Sequence, residues 1–118
     1  MIRALALALV LVATPALAIR TDSGAGGVIR VLDKINGEVA DVELRTGETR
    51  QVGRLLVSLG DCRYPADNPA GDAFQWLTIR YQGQDEAVFQ GWMIASSPAL
   101  NAMDHPRYDV WALRCMTS

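Results

Sequence analysis

The sequence predicts an all-β fold, a small antiparallel sandwich or barrel of about seven strands with one short helical turn. Three observations predict it: apolar and polar residues alternate in short runs, Gly, Asn, Asp and Pro turn signals separate those runs at near-regular spacing, and nothing between Val28 and Cys62 has helical periodicity. Val28-Ile29-Arg30-Val31-Leu32 reads as the first strand. Asn36-Gly37 marks a tight turn into Glu38 to Leu44, where Ala40, Val42 and Leu44 alternate with Asp41 and Glu43. Thr46-Gly47-Glu48 turns the chain into Thr49 to Val52, and Leu55 to Leu59 is an apolar strand ending near Cys62. Arg63 to Asp72 holds two prolines, an Asn, a Gly and two Asp, the composition of a surface loop.

Phe74 to Tyr81 resumes as a strand with apolar residues on both faces. Gln82-Gly83-Gln84-Asp85 turns it into Ala87 to Ala95, whose Val88, Trp92 and Ile94 are expected to share one packed face. Ser96 to Met103 fits a short helix with Ser96 or Ser97 as cap and Pro98 in the first turn, ended by His105-Pro106. The last strand, Tyr108 to Cys115, is expected to put Trp111, Leu113 and Cys115 on one face and Val110 and Ala112 on the other.

The domain organisation follows from the chain's first residues. Met1-Ile2-Arg3 is a short positive region, Ala4 to Ala13 is unbroken apolar sequence, and Pro15 precedes Ala16-Leu17-Ala18. That is the pattern of a signal peptide over 1–18, cleaved after Ala18, with an apolar run too short for the roughly 20 residues of a spanning helix. Residues 19–26 are small and polar and are expected to form a flexible leader, leaving 27–116 as a single all-β domain. No transmembrane segment is expected after cleavage.

Of 118 residues, eleven are basic and thirteen acidic, and only Arg3 among the basic ones lies in the signal. A mildly acidic chain without a Lys/Arg cluster offers no counterion-releasing surface, so nucleic acid and anionic membranes are disfavoured as partners. Export gives meaning to Cys62 and Cys115: as the only pair reaching an oxidising compartment, the periplasm, they are expected to bond.

A longer pattern now becomes legible. Gly91-Trp92-Met93-Ile94-Ala95-Ser96-Ser97-Pro98-Ala99-Leu100-Asn101-Ala102, then His105-Pro106 and Tyr108-Asp109-Val110-Trp111 before Cys115, resembles the exported bacterial family catalogued as domain of unknown function family 2155. The similarity spans roughly Gly27 to Cys115, and includes Val31 to Lys34 and the cysteine after the middle strand, Cys62. One departure is Ile94, where the family often carries Phe. The resemblance implies a cell-envelope protein of a Gram-negative bacterium, an alphaproteobacterium, and implies no activity.

The chemistry is therefore judged from residues. A hydrolase would need a nucleophile, a base and an orienter, and 96–109 offers Ser96 or Ser97, the single histidine His105, and Asp104 or Asp109. All sit in one short stretch, without the strained G-x-S-x-G turn, and Ser before Pro is an ordinary helix start. Asp104, His105 and Asp109 are weak as a metal set because no second His or nearby Cys accompanies them, and no cofactor is implied. His105 is expected to serve its own loop. Trp92 and Trp111 are expected to pack, and Trp76, near polar Gln75 and Thr78, to be the exposed tryptophan.

Three functions remain in order: a noncatalytic envelope module that docks on a cell-envelope protein, a binder of glycan or lipid headgroups using Trp76 and nearby arginines, and a small serine hydrolase. The expected functional surface is Ser96, Ser97, Asn101, Asp104, His105 and Arg107 with Trp76, with Asn101 and Arg107 taken as exposed. The reason is that 96–108 is a long connection in a domain otherwise joined by tight turns.

Overall fold

The computed structural model describes residues 8–12 and 19–118. Most of the expected signal segment, including the cleavage boundary at Ala18, lies outside the described residues. The fold is all-β and resolves the choice between sandwich and barrel in favour of a sandwich, with two antiparallel sheets facing each other.

Eight strands form it. In the larger sheet β5 (Leu55–Pro65), β6 (Phe74–Tyr81) and β7 (Ala87–Ile94) lie side by side, while β4 (Thr49–Val52) and β1 (Thr21–Ser23) pair with the two halves of β5. The smaller sheet has the order β3 (Val39–Arg45), β2 (Gly26–Asp33), β8 (Tyr108–Met116). Asn36-Gly37 makes the β2–β3 turn as expected, with Gly37 at φ 76°, a conformation that favours glycine.

Between the sheets lie Ile29, Val31, Val42, Leu44, Val110 and Ala112 from one side and Leu55, Val57, Leu59, Leu77, Ile79 and Met93 from the other. Each strand presents alternate residues inward, and burying each such side chain contributes about 1.5–3 kcal/mol against the entropy of ordering the chain.

The alternation is broken at three bulges, and these decide where functional side chains point. In β5, Leu59 pairs with Leu77 but Asp61 pairs with Trp76, so Gly60 is the extra residue. In β8, Arg114 pairs with Val28 but Ala112 with Ile29, which makes Leu113 the extra one. Each bulge shifts the parity of the strand beyond it, so Cys62 turns inward after Leu59 and Cys115 turns inward after Ala112. The expected grouping of Cys115 with Trp111 and Leu113 is corrected for this reason. Cys62 and Cys115 meet in the core as a disulfide, Cα atoms 5.7 Å apart, and bridge the two sheets.

The bulge in β8 interrupts the hydrogen-bond ladder, and a buried side chain fills in. Gln75, fully buried in register between Cys62 and Met93, donates from Nε2 to the carbonyls of Val28 at 3.1 Å and Arg114 at 3.0 Å. At the opposite end of the sandwich the buried Tyr108 hydroxyl accepts from Arg54 N–H at 3.1 Å, tying β8 to the β4–β5 turn.

Three local expectations change. The segment 19–26, expected as a flexible leader, contains β1 and joins both sheets: Gly24 N–H donates to Cys62 O and Ala25 N–H to Met116 O, each at 2.7 Å. Its anchors are main-chain groups, which side-chain composition does not reveal. The loop expected from Arg63 starts later, because pairing with β1 carries β5 to Pro65. The short helix is a single 3-10 turn, Pro98–Asn101, with Pro98 in its first turn and no side-chain cap from Ser97.

Candidate functional site

The 96–108 connection runs along the free edge of β7, from one end of the sandwich to the other. At its start the Ser96 hydroxyl donates to Asp72 Oδ2 at 2.6 Å and Ser96 N–H to Asp72 Oδ1 at 2.9 Å, beside the beginning of β6. Near its end the His105 ring stacks on Tyr81, the last residue of β6, with centroids 5.2 Å apart. The length of β6 separates them, roughly 20 Å at about 3.3 Å per residue. Ser96 and Ser97 therefore do not meet His105, and the nucleophile–base pair a serine hydrolase requires is not made.

His105 serves the loop, as its setting in the sequence implied. Its Nδ1 accepts from the N–H groups of Arg107 at 3.0 Å and Tyr108 at 3.2 Å, which caps the start of β8. An Nδ1 that accepts leaves the ring proton on Nε2 in the neutral form. Lys34 Nζ donates to the His105 carbonyl, and Lys34 pairs with Asp109 at 3.5 Å. Arg107 is corrected from an exposed residue to a half-buried one: its guanidinium donates from Nε and Nη2 to Asp33 Oδ2 at 3.2 and 3.0 Å. Hydrogen bonding to Arg107 holds the Asp33 carboxyl below its ordinary range, against the opposing effect of burial, and the Arg107 pKa is raised in turn.

Asn101 is exposed, yet its Nδ2 donates to Trp92 O at 2.8 Å. Asp104 is exposed. Among the described residues no three His, Cys, Asp or Glu side chains converge to hold a metal ion. Ser96, Asn101 and Arg107 thus spend polar atoms on fastening the connection to Asp72, Trp92 O and Asp33, and His105 on its own backbone.

The tryptophans are distributed otherwise than alternation implied. The inward positions of β7 belong to Met93 and Gly91, and Val88 is the extra residue of a third bulge, so Val88 does not share the face of Trp92 and Ile94. Trp92 stands on the outer face of the larger sheet, 37% exposed, and Trp111 is half-buried on the outer face of the smaller one. Trp76, also half-buried, meets Trp92 edge to face with ring centroids 5.5 Å apart. Trp76 lies over Gly60, where a Cβ would come within 2.7 Å of its Cδ1.

Strand register lays out this outer face in rows. Arg63, Phe74 and Ile94 form one row, Asp61, Trp76 and Trp92 the next, and Ser58, Thr78 and Gln90 a third, extended by Thr49 on β4. Arg63 Nε donates to Asp61 Oδ2 at 2.9 Å. Thr49 and Ser58 share a hydroxyl hydrogen bond of 2.6 Å, and Gln90 Nε2 donates to Thr78 Oγ1 at 3.2 Å. Thr21, Arg63, Phe74, Trp92 and Ile94 enclose an open cleft of about 330 Å³. Trp111 lines a second cleft, with Arg30, Leu32, Val39 and Leu113 on the other sheet, where Arg30 is held in a two-pronged pair with Asp41.

Sequence reasoning named Trp76 but missed Phe74, Trp92, Ile94 and Arg63 as its neighbours. The available signal was the apolar character of both faces of Phe74–Tyr81, more than one core face requires.

Comparison with known proteins places the chain without giving it an activity. It is 33% identical over 92 residues to the uncharacterized protein RP359 of Rickettsia prowazekii (strain Madrid E), an overlap of 75% of this chain and 59% of the relative. The chain thus spans about three fifths of that relative's length. No solved structure matches it. Residues 27–115, the whole sandwich apart from β1, Gly26 and Met116, match the family described as uncharacterized protein conserved in bacteria (DUF2155), and the chain belongs to that family.

Proposed function

We propose that this protein is an exported, noncatalytic accessory module of the bacterial cell envelope that acts by binding another component of that compartment. The observation that carries the reading is a division of labour between two surfaces. Ser96, Asn101, His105 and Arg107 of the 96–108 connection are occupied in holding it in place, whereas the outer face of the larger sheet keeps Trp92 exposed beside Phe74, Trp76 and Ile94. An exposed aromatic cluster is a binding feature more than a stability feature.

Export is supported by two observations. A disulfide built into the core fits a chain that folds where thiols oxidise, and the three-part pattern of residues 1–18 is that of a cleaved signal. Among the described residues no helix is long and apolar enough to cross a membrane. The disulfide and the signal pattern together support periplasmic residence after cleavage at Ala18.

The experiment is affinity recovery from envelope extracts with the native chain and with Trp92→Ala, paired with intact-mass measurement of the secreted protein. The expected result is a component retained by the native chain and lost by the folded variant, from a protein that begins at Ile19. Covalent labelling of Ser96 or Ser97 by a serine-reactive probe would overturn the noncatalytic reading, and retention of residues 1–18 the periplasmic one.

A further inference from the structure

We infer that the outer face of the five-stranded sheet is a carbohydrate site that takes an N-acetylated amino-sugar chain, one sugar ring stacked on Trp92 and its acetyl methyl seated between Phe74 and Ile94. This rests on the reading above, that the face binds, and names the ligand.

The platform comes first. A pyranose ring has one face made largely of C–H groups, which packs on an aromatic face and gains both apolar burial and attraction to the ring's electron density. Trp92 offers such a surface, 37% exposed, and Trp76 buttresses it edge to face at 5.5 Å. Trp76 is itself held because Gly60 leaves room for its ring. A platform fixed before binding loses little rotamer entropy on binding.

The cleft selects the substituent. At about 330 Å³ it is at the small end of ligand sites, the size of one sugar residue and its substituent. Its lining, from Phe74, Ile94 and Trp92 with the aliphatic parts of Thr21 and Arg63, is wholly apolar and suits a methyl group. Arg63 is paired with Asp61 at 2.9 Å, which removes the unpaired positive charge that would favour a phosphate.

The polar row selects the class. Next to the tryptophans stand Ser58, Thr78, Gln90 and Thr49, neutral donors and acceptors already oriented by hydrogen bonds of 2.6 and 3.2 Å. A sugar chain running along the strands from the cleft and over the tryptophans meets hydroxyl partners there. A protein partner fits less well, because the apolar part of the face comes to only four side chains, Phe74, Trp76, Trp92 and Ile94, and stable protein interfaces bury about 800 Å² on each side.

The test uses the oxidised chain and the β-1,4-linked trisaccharide of N-acetylglucosamine, with cellotriose as the same backbone lacking acetamido groups. Tryptophan emission and calorimetry should show saturable binding of the acetylated sugar and about tenfold weaker binding of cellotriose. Trp92→Ala should weaken binding about tenfold or more, while Trp111→Ala, on the opposite outer face, should bind as the native chain does. Saturation-transfer NMR on the native chain provides a measurement independent of any variant, and the acetyl methyl should receive the strongest transfer. Absence of binding at millimolar sugar, equal binding of cellotriose, undiminished binding by folded Trp92→Ala, or no transfer to the methyl each overturns the assignment. If an envelope protein is retained through Trp92 while the sugar is not, the sugar assignment fails and the binding reading survives; if neither is retained, both fail.

Discussion

Gln75→Leu tests whether the buried amide beside the disulfide is a structural substitute for the ladder that the β8 bulge interrupts. The replacement keeps an unbranched start and similar length, but removes the donor that serves Val28 O at 3.1 Å and Arg114 O at 3.0 Å. Leaving two buried carbonyls without that donor costs about 2–4 kcal/mol. Against this, Gln75 Oε1 has no partner, and deleting it returns about 1 kcal/mol, with a further ~1 kcal/mol from the added apolar burial. The net expectation is a loss centred on about 1 kcal/mol, or roughly 4–8 °C in melting temperature for a domain of this size. Thermal melts by near-UV circular dichroism measure it, with thiol titration of the denatured variant confirming that the disulfide is still made. An unchanged or raised melting temperature with the disulfide intact would refute the argument, and would mean the two carbonyls are served some other way.

Three further outcomes rest on the same geometry. Cys62→Ala/Cys115→Ala releases a cross-link between residues 53 apart and should cost at most about 4 kcal/mol in urea unfolding; a loss below about 1 kcal/mol would remove the disulfide as a main support. Asp33, held below its ordinary value of 3.8 by hydrogen bonding to Arg107, contributes stability that is fully present above that value and is lost as pH falls through its lower folded pKa, so the native chain should lose more stability than Asp33→Asn between pH 4 and pH 2, and parallel curves would contradict the pairing. His105→Asn, which keeps an acceptor near the position of Nδ1, should melt closer to the native protein than His105→Ala, which leaves Arg107 N–H and Tyr108 N–H without it and should cost about 1–2 kcal/mol; equal losses would show that the ring's stacking on Tyr81 matters more.

Legibility from sequence tracked the physics of each element. Thr49–Val52 and Phe74–Tyr81 have the bounds their flanking turn residues imply, and the Cys62–Cys115 bond follows from redox chemistry that needs no coordinates. Strand faces were legible only up to the first bulge. Alternation carries no mark of an inserted residue, so the bulges at Val88 and Leu113 took Val88 and Cys115 off the faces expected of them, whereas Trp92 and Trp111 keep their expected companions Ile94 and Leu113 but on the outer faces, because Met93, Val110 and Ala112 fill the core in their place. β1 was hidden because its partners are main-chain groups. Gln75 left a faint signal as the one polar residue in the inward series Gln75, Leu77, Ile79. The composition of 96–108 showed a long connection but not its course, and the separation of Ser96 from His105 is a matter of course alone.

The family's longest motif also becomes a physical unit, and a final prediction isolates it. Within Gly91–Ala102, Asn101 Nδ2 donates to Trp92 O at 2.8 Å and lies 2.9 Å from where a Cβ on Gly91 would stand. The 3-10 turn is thereby fastened to the edge of β7 at the tryptophan that stands in solvent, and Gly91 leaves the space that the amide needs. Gly91→Ala should push the Asn101 amide aside, an inexpensive movement for the end of a side chain, so it costs the hydrogen bond to Trp92 O, about 1 kcal/mol, together with the backbone strain of a side chain at Gly91, where φ is 159°, about 1–3 kcal/mol. Asn101→Ala removes the same bond without that strain, at about 1 kcal/mol. Both changes act through one interaction, so the double variant should be little less stable than Gly91→Ala alone, a coupling of about 1 kcal/mol in a double-mutant cycle read by urea unfolding. Faster amide hydrogen exchange around Trp92 should accompany all three variants alike. If the two losses simply add, Gly91 and Asn101 do not act through a common bond, and the fastening of the connection to Trp92 is not what joins these residues into one motif.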